Sequence, residues 1–218
     1  MRVVTLLPSA TEIVCGLGLE SALVGVSHSC NFPSTVASLP VMTSTRVPYE
    51  ASSEVIDTFV RDHLAENAAL YDLDIEALAA AAPDVIVSQA LCDVCAVSTG
   101  DVIAALNALP SRPILVDLNP HTLNDVFADC ERVGLALGET TVTNRFVREL
   151  IQRKDTVEKR SQRIPASDRP GVAFLEWLDP PFNGGHWNPE LVELAGGVDL
   201  LGAPGQPSAT LNWAFLIV

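Results

Sequence analysis

Residues 3–26, VVTLLPSATEIVCGLGLESALVGV, contain the clearest indication of the fold class. The apolar run from Val3 to Leu7 is followed by Pro8 to Glu12, in which Ser-Ala-Thr-Glu has the capping-box spacing of a helix start. The helix is expected to end at Gly16-Leu17-Gly18, and Leu23 to Val26 is apolar and β-branched enough for a second strand. The opening segment therefore predicts a strand, a helix and a second strand.

The same alternation of strands and helices continues to about residue 138. Short β-branched runs indicate strands, and apolar residues at helical spacing indicate the helices between them. The predicted strands cover residues 84–88 and 113–117, and the predicted helices cover residues 53–65, 74–82, 102–109 and 123–137. Because strands that alternate with helices form parallel sheets, we predict a mostly parallel sheet with helices on both faces.

Residues 139–163 differ, because polar and charged residues leave only the narrow apolar stripe of one long helix. Proline and glycine then separate a strand at residues 172–175 from a short helix at residues 189–195, and the chain stops without a further strand and helix. We predict an α/β protein with two Rossmann-like lobes joined by one long backbone helix, the second lobe being incomplete. The predicted boundaries are residues 1–138 for the N-terminal lobe, 139–164 for the backbone helix and 165–218 for the partial C-terminal lobe.

The composition argues against two classes of partner. The 218 residues include 27 acidic and 13 basic ones, and the formal net charge of -14 repels phosphate backbones and anionic lipid headgroups. The sequence shows neither a signal-peptide pattern nor the run of about 18 apolar residues that a membrane-spanning helix needs. We therefore expect a monomer that binds no nucleic acid, does not insert into membranes and, as written, is cytoplasmic. Five cysteines without a dense framework favour a reduced compartment.

The loop after the second predicted strand is the first candidate for ligand contact. His28, Cys30 and Phe32 bring an imidazole, a thiol and an aromatic ring together there. Open α/β sheets bind ligands beyond the carboxyl ends of their strands, so we expect this loop to face a ligand. A soft or borderline metal accepts imidazole and thiolate, which leaves a metal contact as the alternative.

The segment Cys92-Asp-Val-Cys95 follows the strand at residues 84–88 and has the spacing of half a zinc site or of a redox pair. A zinc site would need two more ligands, for which Cys30, His28 and His186 are the candidates. Three interpretations stay open: reduced cysteines that pack the loop, a contact to a metal or corrin, and thiol redox chemistry.

Aromatic residues are concentrated over residues 176–187, after the first strand of the predicted second lobe. The aromatic and histidine side chains there are Trp177, Phe182, His186 and Trp187. Aromatic walls suit a flat, bulky ligand, although core packing would account for one of the two tryptophans. His63 and His121 are interpreted as surface or capping groups. Neither a phosphate-binding loop, a nucleophile elbow nor a zinc-protease helix is present, so no catalysis is expected.

Five segments of the chain together form a more specific pattern. They are Arg2-Val-Val-Thr-Leu-Leu-Pro-Ser-Ala-Thr-Glu12, Leu23-Val-Gly-Val-Ser27, Asn31-Phe-Pro33, Ala82-Pro-Asp-Val-Ile86 and Phe174-Leu-Glu-Trp-Leu-Asp-Pro-Pro-Phe182. With them, the chain resembles the iron-chelate and vitamin B12 substrate-binding proteins of ABC importers from Arg2 to about Trp213. Within that family it is most similar to the cobalamin-binding subgroup with Cys-x-x-Cys and His-Trp motifs.

The resemblance implies two lobes that grip the ligand with little hinge motion. By position, the residues implied to face the corrin are Phe32, Arg46, Gln89, Trp177 and Phe182. The residues that belong to the motifs of the subgroup are His28, Cys92, Cys95, His186 and Trp187. His28 is in addition a candidate axial ligand to a chelated metal. Relatives dock on their permease through one acidic residue on each lobe; Glu76 stands at the first such position, and Ala214-Phe215 at the second.

On this resemblance, we predict capture of a cobalamin-like corrinoid, or of another metal chelate such as a siderophore or haem, for an ABC transporter permease. The chelate is cargo and not a catalytic cofactor. Two alternatives stay open. One is a cytosolic zinc or redox protein built on Cys92 and Cys95, and the other is a truncated relative that binds nothing.

Overall fold

The computed structural model describes residues 1–66, 68–89, 100, 102–103, 106, 109–110 and 112–216, the side chain of Phe215 excepted. The chain divides into two compact units. Unit 1 comprises Met1–Tyr49, Phe59–Asn119 and Asp129–Phe146, and unit 2 comprises Glu50–Thr58, Pro120–Ala128 and Val147–Val218. The lobe boundaries proposed from the sequence stay predictions.

Unit 1 is built on a parallel sheet. The described strands of this unit are β1 (Val3–Thr5), β2 (Leu23–Gly25), β3 (Thr43–Thr45), β4 (Tyr71–Leu73), β5 (Val85–Gln89) and β6 (Ile114–Leu118). Four of them form one sheet in the order β2-β1-β5-β6, and each neighbouring pair is parallel. In the register of this sheet, Val3 lies beside Leu23 on one side and Val85 on the other. The predicted mostly parallel sheet is confirmed.

Both faces of this sheet are covered by helices. The helices described up to residue 161 are α1 (Pro8–Gly16), α2 (Ser53–Ala65), α3 (Ile75–Ala81), α4 (Leu123–Ala136) and α5 (Thr140–Ser161). One core cluster joins Val3 to Val14 of α1 and Val133 of α4, and a second joins Ile86 to Leu78 of α3. Because successive side chains of a strand point to opposite faces, two separate cores on one sheet indicate a layer of helices on each side.

The start of α1 differs from the predicted capping box. The helix begins at Pro8, and the preceding Leu7 provides no side-chain cap. Proline has no N–H that needs a cap, and its φ suits the first helical turn, so Pro8 itself starts the helix. Thr11 belongs to a buried hydroxyl pair, with its Oγ1 2.6 Å from Thr5 Oγ1, and Glu12 is exposed. The capping box and the capping role of Glu12 were therefore wrong predictions.

The antiparallel pair β3–β4 was not predicted. Its strands have 3 residues each, with Thr43 beside Leu73 and Thr45 beside Tyr71. The N-cap of α3 follows directly, where the Asp74 carboxylate accepts a 2.8 Å hydrogen bond from the Ala77 N–H. This short connection positions the first turn of α3 at the surface of unit 1.

The contact between α4 and α5 within unit 1 depends on a glycine. A Cβ at Gly134 would lie 1.8 Å from Thr143 Oγ1, so no larger residue fits while Thr143 keeps its position. The observed α5 confirms the long helix that residues 139–163 predict. Its role as a strut between lobes stays a prediction.

Unit 2 contains only short strands among its described residues. Its strands are β7 (Gly171–Val172), β8 (Leu175–Leu178), β9 (Pro181–Asn183) and β10 (Val198–Asp199), and its later helices are α6 (Asn188–Leu194) and α7 (Trp213–Leu216). β7 pairs in parallel with β10, whereas β8 and β9 form an antiparallel hairpin. The proline- and glycine-containing segment between residues 175 and 189, for which the sequence indicated no strand, thus contains β9. Across the described residues, we find no helix with the length and apolarity to cross a bilayer.

Candidate functional site

In unit 1, the His28 imidazole is hydrogen-bonded to Thr43 and Tyr49 and lies against the Tyr71 ring, and these four residues are termed the His28 cluster. The imidazole Nδ1 lies 2.7 Å from Thr43 Oγ1, which also accepts a 3.0 Å hydrogen bond from the His28 backbone N–H. The Nε2 atom lies 3.1 Å from the Tyr49 hydroxyl, and the Tyr71 and His28 ring centroids are 5.6 Å apart. Both ring nitrogens are engaged, so His28 reaches a metal only if one of these hydrogen bonds opens.

The two tyrosines of this cluster were not singled out from the sequence. Tyr49 is 59% exposed and carries its phenol at the surface of unit 1. Tyr71 lies in β4 and reaches His28 only because β4 pairs with β3, which holds Thr43. The sequence signal for Tyr71 was weak, since its contact with His28 depends on the pairing of two very short strands.

Burial lowers the pKa of the His28 imidazole below its ordinary value of 6.5. Unfolded His28 therefore binds a proton more readily than folded His28, and the free energy of unfolding should fall as the pH drops below about 6.5. In the His28→Gln variant, the free energy of unfolding should fall less steeply with decreasing pH. Urea denaturation at several pH values between about 5 and 7.5 measures both slopes.

In that variant, the free energy of unfolding should still fall with decreasing pH, because His186 contributes in the same way. Burial lowers the pKa of His186, and the neighbouring His121 lowers it further. If the free energy of unfolding depends on pH equally in the wild type and in His28→Gln, the contribution assigned to His28 is contradicted. A direct check is the His28 titration by NMR, which should give a midpoint below 6.5.

Among the described residues of unit 1, Phe32, Arg46 and Gln89 make no hydrogen bond or ring contact with His28. Phe32 is 63% exposed, and Gln89 is half-buried at the end of β5. The Arg46 guanidinium is paired with the Asp72 carboxylate through two hydrogen bonds, one of them 2.9 Å from Nε to Oδ2. This pairing raises the pKa of Arg46 and lowers that of Asp72. The Arg46 side chain is therefore half of an ion pair, and its proposed contact with a ligand stays a prediction.

The cysteine motif of residues 92 and 95 lies outside the described residues, so the interpretations of Cys92 and Cys95 stay predictions. Cys30 is buried, and its Sγ lies 3.0 Å from Thr11 Oγ1 and 3.2 Å from Ser27 Oγ. Cys130 is buried as well, and burial raises the pKa of its thiol to about 11, so this thiol stays protonated and unreactive at neutral pH. In the described parts of the chain, no group of three or more His, Cys, Asp and Glu residues is arranged to hold a metal ion.

In unit 2, the β8–β9 hairpin brings two of the predicted aromatic residues together. Trp177 and Phe182 are register partners across the hairpin, and directly opposed side chains of an antiparallel pair share a face. Both rings are half-buried, and the Trp177 indole N–H donates a 3.0 Å hydrogen bond to the Asp179 carbonyl. The hairpin therefore presents a fixed pair of aromatic rings.

The chain leaves β9 through Gly184 and Gly185, which tie the loop to the rest of unit 2. The Gly184 N–H donates to the Phe174 carbonyl at 2.9 Å, and the Gly185 N–H donates to Glu176 Oε2 at 3.3 Å. A Cβ at Gly185 would lie 2.2 Å from the backbone nitrogen of Ser208. Only glycine allows this close approach of two backbone segments.

His186 follows in a left-handed backbone conformation, with a φ of 55°. Its N–H donates to the Gln206 carbonyl at 2.6 Å, and its own carbonyl accepts from the Gly205 N–H at 3.0 Å. The imidazole is half-buried, with its centroid 5.9 Å from the Trp187 ring and 5.6 Å from the His121 ring. Burial lowers the pKa of His186, so the ring is neutral at neutral pH and carries a nitrogen lone pair.

His121 was not selected as a site residue from the sequence. The expected cap at the start of α4 is formed by its neighbours: the Thr122 N–H donates to Asp125 Oδ2 at 2.8 Å, and the Asp125 N–H donates to Thr122 Oγ1 at 3.2 Å. The His121 N–H donates to the same carboxylate at 3.0 Å, while its ring lies against His186. Its position just after β6 was the available signal, since strand ends commonly carry ligand contacts.

Unit 2 also contains a cavity of about 370 Å³, which none of the predicted ligand residues lines. Its lining is charged, with Lys154, Glu158, Arg169, Glu190 and Glu193. The Lys154 ammonium lies 3.6 Å from the Glu158 carboxylate, and Glu190 accepts a 2.7 Å hydrogen bond from the Leu123 N–H. Such a polar lining does not suit an apolar macrocycle, so we place the candidate site at the hairpin and His186.

No family model and no curated protein matches the sequence. Solved structures do match, and periplasmic binding proteins are among them. The chain therefore has the α/β fold of these proteins, which confirms the fold class predicted from the sequence.

Three neighbours illustrate the likeness. The vitamin B12 binding protein BtuF of Vibrio cholerae is 20% identical with a TM-score of 0.66, and the match covers 99% of this chain and 71% of that one. The haem-binding protein RhuT of Roseiflexus sp. RS-1 is 19% identical with a TM-score of 0.70, over 99% and 72% of the two chains. The haem binding protein HutB of Vibrio cholerae is 16% identical with a TM-score of 0.67, over 100% and 72%.

Proposed function

We propose that this chain captures a flat metal chelate, a cobalamin-like corrinoid or a related tetrapyrrole, and delivers it to an ABC transporter permease. The observation that carries the proposal is the pairing of Trp177 and Phe182 on one face of the β8–β9 hairpin, followed directly by His186 and Trp187. Large rings with an apolar body and a polar tip bury the faces of a macrocycle and leave its polar edge hydrated.

Unit 1 supports the proposal with a second set of exposed aromatic groups. Phe32 and the Tyr49 phenol lie at its surface, and Tyr49 is bonded to the His28 imidazole behind it. Exposed aromatic side chains of this size offer a large contact area, and the Tyr49 phenol adds a polar tip. The neighbours add support, since their names describe vitamin B12 and haem binding.

The permease would be contacted through Glu76. This residue lies in the first turn of α3 and is exposed, so its carboxylate is accessible to a basic side chain of a partner. We propose no chemical reaction, because the role needs only capture and release. Delivery to an importer takes place outside the cytoplasmic membrane, whereas the cytoplasmic location expected from the sequence stays an untested prediction.

The Trp177→Ala variant tests the proposal. Removing one aromatic wall should weaken binding of hydroxocobalamin or haemin about 10- to 100-fold, which corresponds to about 1.4–2.8 kcal/mol. Absorbance titration and calorimetry measure the dissociation constants of hydroxocobalamin and haemin.

Trp213→Ala is the matched control. Trp213 is also a partly exposed tryptophan of unit 2, but it lies in α7 and outside the hairpin. Its removal should leave the dissociation constants within about twofold of the wild type. The proposed function is contradicted if Trp177→Ala and Trp213→Ala lose the same affinity. It is also contradicted if the wild type binds neither hydroxocobalamin nor haemin at micromolar concentrations.

A further inference from the structure

The stretch of chain that builds the β8–β9 hairpin and the loop after it contains no lysine or arginine. Residues 171–218 include five acidic residues and no basic residue of either kind. Arg169, just before this stretch, lines the charged cavity, which none of the predicted ligand residues lines. His186 adds no positive charge at neutral pH, because burial lowers its pKa. The hairpin and its loop therefore supply acidic side chains to the candidate site but no basic one.

Glu176 is one of these acidic residues, and it lies at a bulge of the hairpin. The pairing of β8 with β9 shifts register between Leu175 and Trp177, which leaves Glu176 as one extra residue on β8. Bulges are common next to functional sites, where they redirect a side chain. The Glu176 carboxylate accepts a 3.3 Å hydrogen bond from the Gly185 N–H, so it lies beside the backbone that continues into His186.

The charge of Glu176 acts on the candidate site. Burial and the neighbouring His121 lower the pKa of His186, and the negative charge of Glu176 opposes this shift. Charges at a protein surface are screened within about 10 Å at about 0.1 M salt, so a carboxylate has such an effect on an imidazole only from nearby. Glu176 therefore belongs to the immediate surroundings of the site.

Asp179 is a second acidic residue at the edge of the aromatic pair. It directly follows β8, and its carbonyl accepts a 3.0 Å hydrogen bond from the Trp177 indole N–H. Glu176 and Asp179 are both exposed, and among the described residues neither forms a salt bridge. In unit 1, the guanidinium of Arg46, the cation that the resemblance implies to face the ligand, is already paired with Asp72. Within the described chain, the hairpin thus presents two negative charges that no cation pairs.

The macrocycles that suit an aromatic pair differ at their edges. Haem carries ionised propionates there, whereas the corrin of a cobalamin carries neutral amides. An amide N–H donates a hydrogen bond to a carboxylate, but an ionised carboxylate offers only acceptors and has the same sign of charge. A hairpin that presents two carboxylates therefore distinguishes these edges, although the faces of the rings are alike.

We propose that Glu176 and Asp179 determine ligand specificity: their carboxylates accept hydrogen bonds from a macrocycle edge that bears amides, and they repel an edge that bears carboxylates. This inference rests on the proposed function and narrows its ligand to a corrinoid with an amide-bearing edge. The two carboxylates act on the edge of the macrocycle, whereas Trp177 and Phe182 cover its face. Selection through charge and hydrogen bonding does not depend on which group ligates the metal.

Dicyanocobinamide and dicyanocobyrinic acid test the proposal on one macrocycle. They share the corrin ring and have cyanide in both axial positions, but the first carries amides at the ring edge and the second carries carboxylates. The wild type should bind the amide at least about 10-fold more tightly than the acid at about 0.1 M salt. At about 1 M salt, where charges are screened within about 3 Å, this ratio should fall to about threefold. Absorbance titration measures both dissociation constants.

The double variant Glu176→Gln/Asp179→Asn removes both charges of the hairpin and keeps its contacts. Glutamine still offers an acceptor to the Gly185 N–H, and the backbone carbonyl to which Trp177 donates is unchanged. The ratio at about 0.1 M salt should fall to about threefold, because cobyrinic acid binds more tightly than it does to the wild type. A damaged fold would weaken binding, so tighter binding of the acid separates a charge effect from a structural one.

Glu158→Gln/Glu193→Gln is the matched control. It removes the same amount of charge from unit 2, but at the charged cavity and not at the hairpin. The ratio of the two dissociation constants should stay within about twofold of the wild-type value, because the screened charges of the cavity contribute little at the hairpin.

The outcomes distinguish this inference from the proposed function. If the wild type binds both corrins equally tightly, or if the hairpin variant keeps the wild-type ratio, the inference is wrong and the proposed function stands. If the control variant lowers the ratio as much as the hairpin variant does, net charge and not the hairpin selects the ligand, and the inference is again wrong. If both corrins, hydroxocobalamin and haemin all fail to bind, the proposed function fails, and the inference fails with it.

Discussion

Replacing Ile86 with alanine is expected to lower the free energy of unfolding by about 2–5 kcal/mol, the usual range for a large aliphatic residue in a closed core. Ile86 is 0% exposed and lies in β5, between β1 and β6, with Val4 and Leu115 as its register partners. Strands on both sides prevent the sheet from collapsing into the space that is left. Urea denaturation followed by far-UV circular dichroism measures the loss.

Ile114→Ala in the neighbouring strand β6 is the matched control. The same atoms are removed there, but Ile114 is 57% exposed. Its replacement should cost about 1 kcal/mol or less, because little apolar surface returns to water. A comparable loss in both variants would show that the sheet is not buried as described.

Gly185→Ala is expected to disrupt the candidate site. The new Cβ would meet the Ser208 backbone nitrogen at 2.2 Å, and a backbone atom cannot rotate away as a side chain can. Either the loop at residues 184–186 or the segment at residues 205–208 must move, at a cost of about 3 kcal/mol. Haemin binding should be lost, since the same two segments hold His186. Tryptophan fluorescence follows this change selectively, because Trp177, Trp187 and Trp213 all lie in unit 2.

Gly184→Ala provides the comparison for this variant. The Cβ at that position would meet the Phe174 ring at 2.3 Å, and this ring lies near the surface and can turn away. We expect a loss of about 1 kcal/mol and retention of haemin binding within about tenfold. If Gly185→Ala lowers stability and haemin binding no more than Gly184→Ala does, the close approach of the Gly185 and Ser208 backbones does not hold the site in place.

The parallel sheet of unit 1 and its helices were predictable from local patterns. The β-branched run at residues 84–88 and the helical spacing at residues 123–137 correspond to β5 and α4 within one or two residues. The long α5 follows from the same kind of periodicity. Each of these segments is long enough, and apolar enough on the buried side, to reveal its period without knowledge of its neighbours.

The short strands were not predictable in the same way. β3 and β9 have 3 residues each, which is too few for an alternating pattern to stand out. β9 in addition begins with Pro181 and ends with Asn183, both weak strand formers. These strands are defined by the strands that pair with them: β3 by β4, which is distant in the sequence, and β9 by its hairpin neighbour β8.

The candidate site shows the same contrast between features that follow from local sequence patterns and features that depend on long-range contacts. Local sequence patterns were enough to establish the α/β fold class, the aromatic content of residues 176–187 and the histidines near strand ends. Folding sets the partners of each imidazole: the two ring nitrogens of His28 lie within hydrogen-bond distance of Thr43 and Tyr49, whereas the His186 ring contacts that of His121. The physical reason is that secondary structure follows from the periodicity of neighbouring residues, while the hydrogen-bond partners of a side chain come from segments that are brought together only by folding.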